Sequence, residues 1–361
     1  MENKFLKYFL ASNSGEGFVS HFEQNYDCYD GWRVYIIKGG PGTGKSSFMK
    51  YVVVNAVDKG YGVELCPCSS DPDSLDGVII KDIKTIVVDG TSPHVVEPQF
   101  VGVCEEIINL GEFWRGEKLR EKAGEIIKVT LENKKLHKTA ASYISAASEL
   151  MYDNYKLAER FTKLKKVETF GAKLAESAIP KKQEKCAKEW VRFIGGITPK
   201  GVVAFKSTVE DFYKNVVVID DKYGFCAGVI MNIVRDTAIS RGYEIIALKN
   251  PFLPSEIIDH ILIPQLSLAF VREYECINFD EKYRRIHSRR FYDINVLREC
   301  RSRITFNRRV ARELLLGAIE TLSRAKMVHD RLEKYYIDAM DFKSMTLFTE
   351  KKVKEILMHN A

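Results

Sequence analysis

Short apolar runs alternate with glycine-rich and polar segments along the first hundred residues. Residues 34–37 form a β-branched and aromatic run, which predicts a buried strand. Residues 47–59 have the composition of a helix, and Gly60 marks its end. Further apolar runs at 63–65 and 84–89 predict two more strands. Strands alternating with helices predict the α/β fold class with parallel sheets.

The loop between the first strand and the helix is rich in glycine and matches the pattern G-x-x-x-x-G-K-[S/T]. Glycines let several backbone N–H groups point towards one small volume, and the start of a helix adds the positive end of its dipole. Such a loop suits the phosphates of a nucleotide. The candidate cofactor-binding residues are Gly39, Gly40, Gly42, Thr43, Gly44, Lys45, Ser46 and Ser47.

In its strand, loop and helix context this segment resembles P-loop (Walker A) NTPases. The resemblance implies that Lys45 neutralises the β- and γ-phosphates and that the Ser46 hydroxyl binds Mg²⁺. It also implies an acid on a neighbouring strand, and Asp89 at the end of the run 84–89 fits that place as a second Mg²⁺ ligand. Asp89 could instead only form the following Gly-Thr-Ser-Pro turn.

Other candidate catalytic residues follow the strand 63–65. Asp71 and Asp73 could activate a hydroxyl or a water, or contact Mg²⁺. Alternatively they belong to an Asp-Pro turn followed by a helix that Ser74 caps. His94 could reach the γ-phosphate, or could be structural.

Shifting the chain by 182 residues aligns the strands, the loop and several single residues of the two halves. In this alignment Lys45 falls on Ala227, Ser46 on Gly228 and Asp89 on Val271, so the second loop, 221–228, lacks the chemistry of the first. We expect an internal duplication with a degenerate second half, although two unrelated domains remain an alternative. The layout resembles a group of bacterial tandem-duplicated P-loop ATPases, a resemblance that implies no particular substrate.

The expected architecture is two P-loop-type parallel-sheet domains side by side, each with a helical extension. The active nucleotide-binding domain is predicted at 1–196, and the degenerate domain at 197–361. The predicted cores and extensions are 30–96 with 97–190, and 197–274 with 275–361. The extensions are rich in Lys, Glu, Ala and Leu, which is typical of long surface helices.

Composition adds two expectations. The chain has 361 residues, a net charge of +6 and eight scattered cysteines, with no apolar run of membrane-spanning length and no recognisable leader. We expect free thiols, a cytoplasmic location and no membrane partner. The segment 282–312 carries eleven Lys or Arg residues against two acids. It could bind a nucleic acid, supply an arginine finger to the first loop, or form a solvated helix face.

The expected ligands are therefore ATP and Mg²⁺, with one functional loop per chain. A guanine-reading [N/T]-K-x-D motif is absent from the sequence, which favours ATP over GTP. The leading hypothesis is a Mg²⁺-dependent ATPase, with an unknown acceptor or protein partner. A small-molecule or nucleotide kinase is the alternative, and a regulatory ATPase associated with nucleic acid is a second one.

Overall fold

The computed structural model describes residues 4–93, 95–181, 187–275 and 277–358. The strands up to residue 181 are β1 (Leu6–Lys7), β2 (Ala11–Ser14), β3 (Gly17–Ser20), β4 (Arg33–Lys38), β5 (Glu64–Pro67), β6 (Leu75–Ile80), β7 (Thr85–Asp89) and β8 (Glu105–Asn109). The helices in this part are α1 (Lys45–Asp58), α2 (Gly116–Glu121), α3 (Ala123–Phe161) and α4 (Leu164–Ala178).

The second half repeats this series of elements. Its strands are β9 (Glu189–Arg192), β10 (Gly195–Thr198), β11 (Gly201–Ala204), β12 (Asn215–Asp220), β13 (Ile245–Lys249), β14 (Ile258–Ile263), β15 (Leu268–Glu273) and β16 (Arg284–His287). Its helices are α5 (Ser207–Glu210), α6 (Phe225–Ser240), α7 (Ile294–Ala339) and α8 (Phe342–Met358). The edge strands β8 and β16 lie in segments that we predicted to be helical extensions.

Two six-stranded sheets carry the fold, in the orders β1-β5-β6-β7-β4-β8 and β9-β13-β14-β15-β12-β16. In the first sheet β6 runs antiparallel to both of its neighbours, and in the second β14 does the same. The other pairs are parallel. The expectation of purely parallel sheets was therefore wrong. A single 3₁₀ turn, Lys81–Ile83, joins β6 to β7, and so short a connection permits only antiparallel pairing.

The two sheets pack face to face through a shared apolar layer. Along β4, Ile36 faces this layer while Ile37 faces α1, and along β12 Val218 and Ile219 divide in the same way. Side chains alternate between the two faces of a strand, and both faces of these strands are covered. That explains why these strands are apolar at consecutive positions.

A buried ion pair crosses between the sheets. Arg192 of β9 is fully buried and donates from Nη1 to Oε2 of Glu64 on β5, at 2.7 Å. Its Nε donates to Oδ1 of Asn25 at 2.6 Å. Burial opposes ionisation of Glu64, but the charges of Arg192 and Lys81 outweigh that effect and hold the pKa of the carboxyl below its ordinary value.

A smaller four-stranded sheet, in the order β11-β10-β2-β3, joins one hairpin from each half. Each hairpin tip reaches a loop of the opposite half. Glu16 accepts hydrogen bonds from the backbone and hydroxyl of Ser255, and Lys200 pairs with Asp73 at 2.6 Å.

The helices also cross between the halves. The long helices α3 and α7 lie antiparallel, with Arg303 paired to Asp153 near one end and Arg331 paired to Glu132 towards the other. Beyond this pair, α4 packs on α6 of the second half, and α8 packs on α1 of the first. Each half therefore packs a helix on the outer helix of the other half.

The prediction that the cysteines are free thiols was wrong at one pair, because Cys28 and Cys104 form a disulfide. Cys104 directly precedes β8, and the parallel pairing of β8 with β4 brings it beside the start of β4, where the 3₁₀ turn Cys28–Asp30 holds Cys28. Cys66, Cys68, Cys226 and Cys300 are free. Cys186 and Cys276 lie outside the described residues.

None of the helices in the described ranges is long and apolar enough to cross a membrane.

Candidate functional site

The glycine loop connects the carboxyl end of β4 to the first turn of α1. Gly42 and Gly44 have φ angles of +68° and +83°, in the left-handed region that side chains disfavour. Thr43 is buried, and its hydroxyl donates to the carbonyl of Gly40 at 2.8 Å. The chain therefore folds back on itself and presents the N-terminus of α1 to the loop.

Lys45, the first residue of α1, folds back over this loop. Its Nζ donates to the carbonyl oxygens of Gly39 at 3.1 Å and Gly40 at 2.8 Å. The same Nζ lies 3.6 Å from Oδ2 of Asp89, and both side chains are largely buried. The Lys45 ammonium, the N-terminus of α1 and the Asp89 carboxylate thus lie together at the carboxyl ends of β4 and β7.

Asp89 ends β7, the strand beside β4, and is aligned with Ile37. Its Oδ1 accepts hydrogen bonds from the backbone N–H and the hydroxyl of Thr91, at 2.9 and 2.6 Å. Its Oδ2 faces Lys45. Oδ1 of Asp89 therefore stabilises the turn, as the alternative prediction had it, while Oδ2 faces Lys45 in the glycine loop. Ser46 lies beside them, and its Oγ accepts from the N–H of Leu75 at 3.0 Å.

A further acid, Asp76, lies at this edge and was missed by the sequence reading. The pairing of Cys66 with Gly77 and of Pro67 with Leu75 leaves Asp76 as the extra residue of a β-bulge. Continuing the β6–β7 register places it opposite Asp89. Asp76 is buried, and bulges redirect side chains next to functional sites. The signal in the sequence was a lone acid within an otherwise apolar strand.

The acids of the intervening loop separate in space. Asp71 accepts from the Ser74 hydroxyl at 2.9 Å and lies 3.5 Å from Nζ of Lys326 on α7. Asp73 is exposed and pairs with Lys200. The predicted Asp-Pro turn is present, because the N–H of Ser74 donates to the Asp71 carbonyl at 2.8 Å, but the predicted helix after it was wrong, since strand β6 follows directly. The predicted candidate His94 lies outside the described residues.

The end of α7 lies directly on the glycine loop. A β-carbon added at Gly42 would lie 2.9 Å from the carbonyl oxygen of Glu333, and one at Gly40 would contact the rings of Trp114 and Tyr336. One at Gly44 would lie 2.8 Å from the Met345 side chain. The loop glycines are thus required both by backbone conformation and by this close approach.

Two histidines, His329 on α7 and His137 on α3, lie close to each other near this end of α7. Nδ1 of His329 lies 3.9 Å from Oε1 of Glu333 on the next turn of α7. Burial lowers the pKa of His329, and so do the charges of Lys326 and Lys45, against the opposite effect of Glu333. Burial and the charge of His329 likewise lower the pKa of His137 on α3. Both rings are therefore neutral at neutral pH.

The second loop, 221–228, is occupied by the protein's own side chains. The buried carboxylate of Asp221 accepts from the N–H of Ala227 at 2.9 Å, in the first turn of α6. It also accepts from the N–H of Tyr223 and from the hydroxyl of Tyr292, the latter at 2.7 Å. A carboxylate thus lies at the helix N-terminus, where an anion is favoured.

The residue at the position of Asp89 in the second sheet is Arg272, and not Val271 as the alignment predicted. Asp89 is aligned with Ile37, whereas Arg272 is aligned with Ile219, so the two sheets correspond at this strand with a shift of 183 residues and not 182. Arg272 donates to the Asp221 carbonyl and to Oδ1 of Asp259, the bulge residue of β14. An arginine therefore stands at the position of Asp89, and it pairs with the carboxylate of Asp259.

The basic segment 282–312 lies away from the first loop. Arg285 pairs with Glu273, Arg303 with Asp153, and Arg308 with Glu275. Along the straight path of α7, Arg301 and His329 are separated by 28 positions, about 42 Å. Arg308, 21 positions before His329, is still about 32 Å away along the helix. These distances exclude Arg301 and Arg308 as arginine fingers for the first loop of the same chain, and the ion pairs of Arg303 and Arg308 agree with a partly neutralised helix face.

Comparison with models of known families, with curated proteins and with solved structures finds no significant match to this chain. The described residues define only the fold class of the protein. It is an α/β protein with two mixed sheets and a glycine loop between strand β4 and helix α1. What the chain does must be argued from that site.

Proposed function

We propose that this protein binds Mg-ATP at the loop 39–46 and hydrolyses it. One observation carries the proposal: Lys45 at the start of α1 lies inside a left-handed glycine loop, 3.6 Å from the strand-end carboxylate of Asp89. Converging backbone N–H groups, a helix dipole and a lysine together suit a polyphosphate.

Each residue of the site has a role in this proposal. Backbone N–H groups of Gly42, Gly44 and Lys45 bind the phosphates, and the Lys45 ammonium neutralises the β- and γ-oxygens. The Ser46 hydroxyl and the carboxylates of Asp89 and Asp76 form a hard oxygen donor set that fits Mg²⁺. Mg²⁺ supplies charge stabilisation of the transferred phosphoryl group.

We further infer that the two halves arose by duplication, which would leave one nucleotide site per chain. The support is the identical strand order and direction of the two sheets, together with a bulge that holds Asp76 in one and Asp259 in the other. In the second half, Ala227 and Arg272 stand where the first has Lys45 and Asp89, and Asp221 fills the helix N-terminus.

A kinase remains the alternative reading, because Asp71 lies near the loop through its contact with Lys326. The two reactions differ in the oxygen that attacks the γ-phosphate. ³¹P-monitored turnover in the presence of a cell metabolite extract separates them: release of inorganic phosphate supports hydrolysis, and a new phosphorylated product supports phosphoryl transfer to an acceptor.

Calorimetry with Mg-ATP tests the binding step. We expect one site per chain, its loss in Lys45→Ala, and its retention in the matched control Lys50→Ala, whose lysine lies on the exposed face of α1. Circular dichroism of both variants should match the parent. Two equal sites, or full affinity in Lys45→Ala, would contradict the proposal.

A further inference from the structure

Helix α7 of the second half packs against the glycine loop 39–46 of the first half, so its side chains could reach a ligand bound to that loop. Lys326 lies 3.5 Å from Asp71, and β-carbons added at Gly42 and Gly40 would lie 2.9 Å from the Glu333 carbonyl and 3.2 Å from the Tyr336 ring. These three residues of α7 are seven and three positions apart, so they mark one face of the helix.

His329 lies on that same face, three residues after Lys326 and four before Glu333. His329 interacts electrostatically with Lys45 of the glycine loop and with His137 of α3, which places the imidazole near the loop, where α7 packs on α3. Its side chain is 39% exposed, and neither ring nitrogen makes a hydrogen bond within the described part of the chain. The ring is therefore accessible to a small molecule and keeps a nitrogen lone pair available.

The other charged groups here have partners already. Lys326 pairs with Asp71 and Asp330, and Asp89 is held by Thr91 and Lys45. The lowered pKa of His329 keeps its ring unprotonated at neutral pH, as a proton acceptor must be. Glu333 lies 3.9 Å from Nδ1, on the side where it stabilises the ring once that ring becomes protonated.

We propose that His329, which α7 brings to the first-half loop, is the general base for attack on the γ-phosphate, with Glu333 as its positioning residue. The inference rests on the proposed function. The attacking O–H belongs to water in hydrolysis, or to an acceptor hydroxyl in a kinase. Its oxygen forms the new bond to the γ-phosphorus, the bond from that phosphorus to the ADP oxygen breaks, and the O–H proton passes to the His329 ring nitrogen and then to solvent.

The test compares His329→Ala and His329→Gln with the parent chain, using His287→Ala as control. His287 is an exposed histidine that pairs with Asp220 in the other half. We expect Mg-ATP affinity within about threefold of the parent in all variants, and single-turnover phosphate release lowered by about 10²-fold or more in both His329 variants. The control should turn over normally.

Two further measurements separate a base from a structural residue. Free imidazole should restore part of the turnover of His329→Ala but none of that of Lys45→Ala. Glu333→Gln should lower turnover less than His329→Ala does and should leave ATP affinity unchanged.

The outcomes distinguish this inference from the proposed function. Parent-like turnover in His329→Gln, or no rescue of His329→Ala by imidazole, would overturn the role of His329 while leaving ATP binding intact. A parent chain that binds Mg-ATP but turns it over neither alone nor with the cell metabolite extract would do the same. A parent chain with no Mg-ATP binding would overturn the proposed function and this inference together.

Discussion

At the scale of single residues, the loop is held together by interactions with its own backbone. Lys45 binds the Gly39 and Gly40 carbonyls, and Asp89 divides its two oxygens between Thr91 and Lys45. A phosphate chain entering the loop would compete for Lys45, whose ammonium would exchange carbonyl partners for anionic ones. Charged acceptors form the stronger hydrogen bonds with an ammonium group.

Replacing Asp89 tests its assignment to the cation. Asp89→Asn should weaken ATP binding by about tenfold or more when Mg²⁺ is present, and much less in its absence, because the lost carboxylate charge matters to the cation. Calorimetry with and without EDTA measures the difference. Equal losses in the two conditions would assign Asp89 to the Thr91 turn instead.

The two loop acids should differ in their effect on turnover. Asp71→Asn weakens the pairing with Lys326 of α7, so we expect turnover to fall by about tenfold, equivalent to about 1.4 kcal/mol, with binding preserved. Asp73→Asn breaks only an exposed pair with Lys200 and serves as the control. Steady-state phosphate release measures both. Identical behaviour of the two variants would contradict this separation.

At the scale of elements, the start of α6 resembles the start of α1 with the anion built into the protein. Asp221 accepts three hydrogen bonds while buried, and Arg272 lies against its carbonyl. A carboxylate at a helix N-terminus and in a hydrogen-bond network stabilises the fold and occupies the N–H groups that a phosphate would need.

Removing that charge should affect stability and spare the nucleotide site. Asp221→Asn should lower the free energy of unfolding by about 1–3 kcal/mol, because the amide makes weaker bonds and brings a donor that lacks an acceptor. The neighbouring Asp220→Asn, at an exposed pair with His287, should change it little. Urea denaturation measures both. An unchanged midpoint in Asp221→Asn would show that the network contributes nothing to folding.

At the scale of the whole molecule, the halves depend on each other. Their sheets share one apolar layer, Arg192 and Glu64 form a buried pair across it, and α8 covers α1. Breaking such a buried pair by removing one partner typically costs about 3–5 kcal/mol. An isolated half would expose an apolar sheet face and lose α7 from its loop.

The stability of the whole chain should fall on mild acidification. Burial lowers the pKa of His21 and of His260 to about 4, below their ordinary value near 6.5. Between these values the unfolded chain takes up protons that the folded chain does not, so stability is complete above about pH 6.5 and declines as the pH falls towards 4. Each histidine contributes a slope of up to about 1.4 kcal/mol per pH unit.

Denaturation between pH 7 and 5 measures this slope, above the range in which most carboxylates titrate. His260→Asn should make the slope smaller, because it removes one of the two buried imidazoles. A stability profile that is flat over this interval would contradict the neutral, buried state of the two imidazoles.

The local pattern of the sequence predicted several elements within a residue or two. Residues 34–37 and 84–89 correspond to β4 and β7, and the helix predicted at 47–59 is α1. These predictions succeeded because alternation, glycine spacing and helix ends are properties of neighbouring residues. The assignments of ATP, Mg²⁺ and catalytic roles stay predictions, since they concern ligands.

Other features depended on residues that are far apart in the chain. The Cys28–Cys104 disulfide required the pairing of β4 with β8, and the correct counterpart of Asp89 required the strand register of the second sheet. Asp76 came to the site through a bulge, and His329 through a helix nearly 300 residues after the loop. Local sequence determined the loop and the elements that flank it. Which side chains surround that loop was decided by the tertiary packing, because a helix face or a strand edge finds its partner only when the two halves fold against each other.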